Sequence, residues 1–571
     1  MGTGDGVFNQ PPPLEDYNVY GADAVLREAV EREGAGWAAA LLLDVGRVAG
    51  SAKAIEWGFQ ANRNPPELRT HDRFGHRIDE VEFHPAWHRL LEGAVRRGMH
   101  AAPWADHRSG AHVARAAAFL VWSQVDSGVG CPVSMTYAAV PALRVQPELA
   151  AVWEPLLTAC TYDPGLRPPA GKAGALCGMA MTERQGGSDV RANTTEAVPA
   201  QGGGPGQEYL LTGHKWFCSA PMCDAFLVLA QAPAGLSCFL LPRVLPDGTR
   251  NAFFIQRLKD KLGNRSNASA EIELHETHAW LIGDEGEGVR TIVEMVNCTR
   301  LDCIAGTAAL MRQGVAQATH HAAHRSAFGR RLAEQPLMRN VLADLAIESE
   351  AATTLAMRLA GACDRSSDGR TLQIAPERSA GAAGADEHEA AFKRLGTALG
   401  KYWVTKRGPA LAGEAIECLG GNGYVEEAIT PRLYREAPLN SIWEGSGNVN
   451  ALDVLRAMTR SPETVEAFVA EVGKAAGADR RLDAFTAGLR SELRTLAQDA
   501  GSAAAHARRL AERMTLALQG ALLVRYAPPA VADAFCASRL GGDWGVAFGT
   551  LPAGVDMAAI IDRHTPAPGV G

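Results

Sequence analysis

The sequence lacks the features of secreted and membrane proteins. Its 571 residues include 11 cysteines, but no two of them stand in a C-x-x-C spacing. Scattered cysteines of this kind are typical of a reduced, intracellular protein. No apolar run approaches the roughly 18 residues that a membrane span requires, and the N-terminal residues do not follow a basic segment with an apolar one, as a signal peptide does. We therefore expect a cytoplasmic protein.

An excess of charge of one sign is also missing. The formal net charge is -8 and the pI about 6.1, so no overall field draws the chain to nucleic acid or to an anionic membrane. No repeat of roughly 20–50 residues is evident, which excludes solenoid architectures. Apolar residues at 47% and charged residues at 21% are typical of an ordinary globular protein. The length predicts roughly three or four domains.

The change from helical to β-type hydrophobic patterns, and back again, predicts the order of the domains. Helical spacing, preceded by an extended Pro11–Pro13 arm, dominates the first part of the chain. Between 207 and 283, turn residues separate the runs EYLLTGHKWF, AFLVLAQA, SCFLLPRV, FFIQRL and AEIELHETHAWLI, which predict a β-sandwich or barrel. Helical spacing returns from Val289, and we predict a loop insertion at 366–388.

The predicted fold is therefore mainly α with a central β-domain, an α+β protein. Residues 460–571 hold 12 Lys+Arg and 12 Asp+Glu, so this final alanine-rich segment is balanced in charge. The predicted domains are an N-terminal arm with a helical domain (1–175), a β-domain (176–288), a helical bundle (289–459) and an appended helical domain (460–571).

The stretch A-M-T-E-R-Q-G-G-S-D-V-R-A at 180–192 lies where helical texture gives way to β-type texture. Two hydroxyl side chains, Thr182 and Ser188, bracket a glycine pair in this short loop. Exposed backbone N–H groups together with hydroxyl donors suit a flavin ring edge or a phosphate. Because Gly-Gly-Ser-Asp is also ordinary turn sequence, both interpretations stay open on the residues alone.

A second glycine-rich stretch, E-C-L-G-G-N-G-Y-V-E-E at 417–427, follows a helical segment. Three glycines within four residues allow a ligand to approach the backbone closely. The stretch is not G-x-G-x-x-G and follows no strand, so it does not predict a Rossmann site. A helix C-cap at Gly420 is the alternative interpretation.

The stretch H-R-S-A-F-G-R-R-L at 324–332 places several arginines around Phe328 at the end of a long helical pattern. Such arginines complement the helix dipole, or they bind a pyrophosphate. His320 and His324 lie four residues apart, as some metal ligands do, but no third ligand accompanies them and we predict no metal site.

A lone carboxylate stands in S-I-W-E-G-S-G-N at 441–448, where Glu444 lies between Trp443 and a glycine-containing turn. One interpretation is a helix start at which Ser446 or Asn448 forms the N-cap and Glu444 is solvated. The other is a functional carboxylate, and the residues alone do not decide between them.

Taken together, these stretches resemble the acyl-CoA dehydrogenase family. The loop at 180–192 matches one family signature and 417–436 matches a second, while R-x-x-F-G-x-x-L at 325–332 and W-E-G-S at 443–446 stand in the family's order. The similarity covers roughly residues 100–458. The N-terminal arm, the sequence at 181–195 and the extra C-terminal segment are most similar to the AidB-like branch, the adaptive alkylation-response flavoproteins.

The resemblance implies a helical domain, a β-domain and a four-helix bundle that holds FAD, in a homotetramer or dimer of dimers. Thr182 would bind the flavin pyrimidine edge and Ser188 the pyrophosphate. Phe217 would cover the flavin face with Ser219 directed at N5, and Arg325 would reach the FAD of a neighbouring subunit. The full implied cofactor set is Met181, Thr182, Gly187, Ser188, Phe217, Ser219, Arg325, Phe328, Gly420, Gly421, Ser446 and Asn448.

The resemblance also implies a role for Glu444, since W-E-G-S in this family carries the base that removes the α-proton of an acyl thioester. Relatives that place the base in an E-R-L context on the bundle helix differ here, because this sequence reads Thr299-Arg300-Leu301. The first functional hypothesis is therefore an FAD-dependent acyl-CoA dehydrogenase. The alternative is a flavoprotein of the alkylation-damage response with weak or no such activity, which binds double-stranded DNA through residues such as Arg456 and Arg539.

Overall fold

The computed structural model describes residues 8–366, 380–498 and 500–566. The chain forms two compact units. The first, called the β-unit below, comprises Lys53–Ala111 and Val125–Asp302. The second, the helical unit, comprises the described residues of Met1–Ala52, His112–Gln124 and Cys303–Gly571. Within the described residues, no helix combines the length and the apolar character that crossing a membrane requires.

A closed barrel forms the centre of the β-unit. Its ring runs β6–β7–β9–β5–β4 and back to β6, while β3 pairs beside β6 and β8 beside β9. Apolar side chains of these strands, such as Phe226 and Phe239, are fully buried inside. The strands are β3 (Cys177–Ala180), β4 (Glu196–Pro199), β5 (Glu208–Ser219), β6 (Ala225–Ala232), β7 (Gly235–Pro242), β8 (Phe253–Leu258) and β9 (Ser269–Ile282).

The five β-type runs of the sequence correspond to β5 through β9, so the predicted central β-domain is confirmed. Within the predicted N-terminal arm and helical domain (1–175), β1 (Glu67–His71) and β2 (Arg77–Glu82) form an antiparallel hairpin that was not predicted. Its strands are short and carry charges on both faces, so they lack the apolar alternation that marks a strand. Asp72 stabilises the turn by accepting hydrogen bonds from the N–H groups of Phe74 and His76 at 2.8 and 2.9 Å.

Helices account for most of the remaining chain. The β-unit contains α4 (Pro85–Arg96), α5 (Ala102–Ala105), α7 (Gly130–Leu143) and α8 (Pro147–Leu157), and three helices run across the limits of the units: α3 (Ala52–Arg63), α6 (Ala111–Ser123) and α9 (Gly288–His324). The helical unit contains α1 (Ala24–Arg32), α2 (Ala39–Ala49), α10 (Pro336–Arg365), α11 (Ala380–Leu419), α12 (Gly421–Tyr424), α13 (Thr430–Glu436), α14 (Gly447–Arg460), α15 (Glu463–Gly473), α16 (Arg480–Gln498), α17 (Ala500–Tyr526), α18 (Pro529–Phe535) and α19 (Met557–His564). A short hairpin of β10 (Ser326–Ala327) and β11 (Arg330–Arg331) follows α9.

The predicted loop insertion at 366–388 is wrong in its last part, because α11 begins at Ala380. Alanine is the strongest helix former, and the alanine-rich end of that segment extends the following helix. Residues 367–379 lie outside the described residues.

The C-terminal segment is joined to α10 by three buried clusters of opposite charges. Each cluster pairs a charged residue of α10 with a charged residue beyond position 460. Charges removed from water in this way require partners, because an unpaired buried charge is costly. The pairs are Asp344 and Glu348 with Arg539, Glu350 with Arg563, and Arg358 with Glu471. Residues beyond 460 are thus part of the packing of the bundle.

Candidate active site

A buried ion pair shapes the 181–195 loop of the β-unit. The Nζ of Lys215 lies 2.7 Å from Oε1 of Glu183, and both side chains are 0% exposed. The same carboxylate accepts hydrogen bonds from the N–H and hydroxyl groups of Thr194 and Thr195, at 2.6 to 3.2 Å. Glu183 therefore ties the start of the loop both to its end and to β5.

This anchoring brings the predicted flavin-edge residues beside β5. The carbonyl of Thr182 accepts a hydrogen bond from the N–H of Trp216 at 2.8 Å, and Asn193 donates to the carbonyl of Met181 at 2.9 Å. A Cβ at Gly187 would lie 2.5 Å from the Thr182 hydroxyl oxygen, so this position accepts only glycine without a shift. Ser188 is exposed at the outer edge of the loop.

The Glu183–Lys215 pair predicts an acid-sensitive loop. Burial alone would raise the pKa of Glu183, but Lys215 and the threonine hydrogen bonds outweigh it and lower this pKa from 4.5 to about 2. Because the folded pKa lies below the ordinary value, the carboxylate contributes stability that is complete above about pH 4.5 and is lost as the pH falls toward 2. Burial lowers the pKa of Lys215 to about 8, so the pair is fully charged between these limits.

We expect Glu183→Gln to lower the free energy of unfolding at pH 7 by about 3–5 kcal/mol, because it leaves the Lys215 ammonium buried without a counter-charge. The variant should also lose less further stability than the wild type when the pH falls from 4.5 to 3. Denaturant unfolding at several pH values measures both effects. Glu196→Gln, the same change at an exposed position of β4, is the control. Equal stability of Glu183→Gln and wild type at pH 7 would contradict the prediction.

The outer face of β5 presents an aromatic ring next to a hydroxyl group. Phe217 is 49% exposed, although large apolar side chains are usually covered. The ammonium of Lys259 lies 4.7 Å from the centre of its ring. Two residues further along, the Ser219 hydroxyl lies 3.4 Å from that of Ser269. An uncovered ring beside a hydroxyl is suited to a flat aromatic ligand.

The turn that carries Glu444 lies in the helical unit and has an unusual backbone. Glu444 has a φ of 57°, a left-handed conformation that costs a residue with a Cβ about 1–3 kcal/mol and is concentrated at functional sites. The buried Lys401 holds the turn by donating to the carbonyls of Asn440 and Gly445 at 2.6 and 3.1 Å. Asn450 donates to the same Gly445 carbonyl at 2.6 Å. The strained position is thus fixed from two sides.

The helix-start interpretation of this turn is confirmed in its position, because α14 begins at Gly447 and Ser446 is its N-cap residue. The Ser446 side chain, however, makes no capping hydrogen bond. Asn448 already lies inside the helix, and its side-chain oxygen accepts a hydrogen bond from Nε of Arg508 at 2.8 Å. Trp443 donates to the side-chain oxygen of Asn440 at 3.0 Å, which directs the indole toward the residues before the turn.

Two further predicted stretches also lie in the helical unit. Phe328 is 99% exposed at the tip of the β10–β11 hairpin, and Arg325 precedes this hairpin. Gly420 follows the last residue of α11 with a φ of 62°, which fits the helix-end interpretation. A Cβ at Gly420 or Gly421 would meet nothing within 4 Å, so neither glycine is required by packing within the described residues.

One predicted nucleic-acid contact is wrong. The Arg539 side chain is 1% exposed and forms ion pairs with Asp344 at 2.5 Å and Glu348 at 3.1 Å. A guanidinium enclosed by two carboxylates cannot also contact a phosphate. Arg456 is half exposed and pairs with Asp453 at 3.2 Å. Within the described ranges no three metal-binding side chains come together.

Comparisons with known proteins identify the family. The chain matches the adaptive response protein AidB N-terminal domain over residues 9–164, the acyl-CoA dehydrogenase middle domain over 178–277 and the acyl-CoA dehydrogenase C-terminal domain over 286–459. AidB of Escherichia coli is 45% identical over 542 residues, or 95% of each chain. The chain belongs to the acyl-CoA dehydrogenase family. The predicted resemblance to this family and to its AidB-like branch is therefore confirmed.

A sequence match and a structural match from Caenorhabditis elegans agree with this assignment. Acyl-CoA dehydrogenase family member 11 of Caenorhabditis elegans is 30% identical over 424 residues, which are 72% of this chain and 65% of that one. The crystal structure of Caenorhabditis elegans ACDH-11 in complex with C11-CoA has a TM-score of 0.82 at 27% identity. The match covers 95% of this chain and 94% of that chain.

As a member of the acyl-CoA dehydrogenase family the protein is a flavoenzyme, and its cofactor is FAD. The described residues fit this cofactor. In the β-unit, Phe217 offers an uncovered aromatic face beside the Ser219 hydroxyl, and the 181–195 loop offers hydroxyl groups and glycine backbone. In the helical unit, Arg325 offers a guanidinium and 420–421 an unobstructed glycine pair.

Several residues that shape the 181–195 loop and the Glu444 turn were not predicted from the sequence. Glu183 and Lys215 were inside quoted stretches, but nothing in their spacing pairs them. Lys401 and Asn450 hold the Glu444 turn through its carbonyl groups, and contacts to backbone atoms leave no trace in a sequence motif. The left-handed turn itself had one signal, the Gly445 that follows Glu444, because glycine marks tight turns.

Proposed function

We propose that the protein removes two hydrogens from an acyl-CoA, forming a double bond between Cα and Cβ, with Glu444 as the catalytic base. When bound, FAD supplies the acceptor for the hydride that leaves Cβ. The observation that carries the proposal is the strained and clamped conformation of Glu444 inside W-E-G-S. A family member that holds a carboxylate at this cost, in the position of the family's base, uses it in the reaction.

Glu444 would take part in two ways, through its carboxylate and through its backbone N–H. The carboxylate of Glu444 would accept the α-proton. The electron pair of the broken Cα–H bond then moves into the forming double bond. Negative charge develops on the thioester carbonyl during this step, and the backbone N–H of Glu444 would donate a hydrogen bond to that oxygen.

A second set of residues would bind and orient FAD. Thr182 and Ser188 would donate hydrogen bonds to the ring edge and the pyrophosphate, Phe217 would cover the ring, and Ser219 would donate near N5. Arg325 and Phe328 would serve the FAD of a neighbouring subunit in a homotetramer. The nearly complete exposure of Phe328 supports a partner at this position. The remaining members of the proposed set are Met181, Gly187, Gly420, Gly421, Ser446 and Asn448.

The acyl-CoA substrate is supported by the Caenorhabditis elegans structure, which contains C11-CoA. An anaerobic titration tests it: the purified yellow protein is mixed with straight and branched acyl-CoAs, and the flavin absorbance is followed. At least one acyl-CoA should bleach the flavin. If none does, with FAD bound and the protein folded, the proposed reaction is wrong.

The described residues do not favour DNA binding as a second function. Arg539 is enclosed by carboxylates, and Arg509 and Arg513 both pair with Glu492, at 3.4 and 2.7 Å. The segment 460–571 has equal numbers of basic and acidic residues. Non-specific binding to DNA depends on an excess of basic side chains on one face.

A further inference from the structure

The N-terminal arm lies against the turn that carries Arg325. The side chain of Asn9 donates to the carbonyl of Ser326 and accepts from the N–H of Ser326, both at 2.8 Å. The backbone carbonyl of Asn9 accepts a hydrogen bond from Nη1 of Arg325 at 2.5 Å. One residue of the arm thus makes three hydrogen bonds to two consecutive residues after α9.

Two more contacts fix the arm in the residues that follow Asn9. The carbonyl of Pro12 accepts a hydrogen bond from Nε2 of His320 at 2.8 Å. The side chain of Gln10 accepts one from Asn422 at 2.8 Å. His320 is the histidine whose spacing from His324 resembled a metal ligand pair, and its contact with Pro12 accounts for it without a metal. The arm therefore runs from the end of α9 to the glycine-rich stretch after α11.

The arm uses only one nitrogen of the Arg325 guanidinium. Arginine carries five N–H groups in a rigid plane, and within the described residues the other nitrogens of Arg325 have no hydrogen-bond partner. The guanidinium is partly exposed. A guanidinium fixed at one nitrogen keeps a second edge that can bind two phosphate oxygens at once.

We infer that the N-terminal arm is a positioning strap for the FAD pyrophosphate site. Asn9 and its neighbours hold Arg325 in one orientation before the pyrophosphate binds. Binding then costs less side-chain entropy, because the guanidinium is already fixed. Asn9 acts through Arg325 and touches no cofactor atom itself. The inference rests on the proposed role of Arg325.

A double-mutant cycle on FAD affinity tests the strap. Asn9 has a φ of 55°, which glycine adopts freely, so Asn9→Gly removes the amide without straining the backbone. FAD is titrated into apoprotein, and the dissociation constant is obtained from the change in flavin fluorescence. We expect a loss of roughly 10- to 100-fold for Arg325→Ala, the effect of one charge-assisted hydrogen bond. For Asn9→Gly we expect a loss of roughly 5- to 20-fold.

Because Asn9 acts through Arg325, the double variant should bind FAD as Arg325→Ala does, with no added loss. Asn340→Ala is the matched control, since Asn340 makes the same pair of amide hydrogen bonds to the backbone of Leu551, at 3.0 and 2.9 Å. Its FAD affinity should equal that of the wild type, while the melting temperatures of the two single asparagine variants should be similar.

The FAD affinities of these variants distinguish the proposed contact between Arg325 and FAD from the strap role of the arm. If Arg325→Ala binds FAD normally, the proposed contact between Arg325 and FAD is wrong and the strap is wrong with it. If Arg325→Ala weakens FAD but Asn9→Gly does not, the strap is wrong and the proposed contact stands. Additive losses in the double variant, or an equal loss in Asn340→Ala, would also overturn the strap, because both indicate general destabilisation.

Discussion

Glu444→Gln is expected to slow the reduction of bound flavin by acyl-CoA by about two to four orders of magnitude, the usual contribution of a positioned general base. Glutamine has the size and shape of glutamate but cannot accept the α-proton. The turn should keep its conformation, because Lys401 and Asn450 hold the carbonyl groups around it. Binding of FAD and of acyl-CoA should therefore be unchanged.

Anaerobic stopped-flow measurement of flavin absorbance, with the acyl-CoA that reduces the wild type most readily, gives the rate. The control is Glu427→Gln, the same change at an exposed position of the glycine-rich stretch, which should react like the wild type. If Glu444→Gln and the wild type are reduced at the same rate, Glu444 is not the base. If the variant also loses FAD, the residue has a structural role that the proposed mechanism does not include.

The second large effect is expected for stability. Glu471→Gln should lower the free energy of unfolding at pH 7 by about 3–5 kcal/mol, because it removes one member of a buried charge cluster. The Glu471 side chain is 0% exposed and lies 2.9 Å from Arg358, 2.7 Å from Lys474 and 2.8 Å from Arg525. Glu389 would then remain as the carboxylate beside Arg358, while Lys474 and Arg525 would lose the carboxylate that they contact.

The dependence on pH separates this charge effect from a loss of packing. Burial alone would raise the pKa of Glu471, but Arg358 and Lys474 outweigh it and hold this pKa well below its ordinary value of 4.5. The stability that Glu471 contributes is thus complete above about pH 4.5 and falls as the pH falls below it. The difference between wild type and Glu471→Gln should therefore shrink in acid, as measured by denaturant unfolding.

Asp44→Asn provides the control for the second prediction. Asp44 and Arg47 form an ion pair of 2.7 Å with side chains 43% and 66% exposed, and pairs of this kind contribute about 0–1 kcal/mol. The control should change stability by less than 1 kcal/mol at pH 7. A similarly small change for Glu471→Gln would show that the cluster does not stabilise the bundle.

Five strands, β5 to β9, could be predicted from the sequence because each is bounded by turn residues and carries a run of β-forming side chains, whereas β3 and β4, of four residues each, were not predicted. The β1–β2 hairpin could not, since its short charged strands have no such pattern. The flavin loop and Glu444 were predicted through resemblance to a family, whereas physical reasoning on the residues left both open. Neither resemblance to a family nor physical reasoning on the residues could predict contacts between distant segments. Asn9 and Arg325 are 316 residues apart, and no spacing rule links them.

The buried clusters on α10 also constrain when the protein can finish folding during its synthesis. Glu348 meets Arg539, which follows 191 residues later, and Glu350 meets Arg563, which follows 213 residues later. At roughly 5–20 residues per second, a ribosome needs roughly ten to forty seconds to make those partners. Until then the carboxylate of Glu350 stays in water, because burying it unpaired is too costly, whereas Glu348 also pairs with Arg407, at 3.2 Å. The helical bundle is therefore completed only after Arg563 has been synthesised.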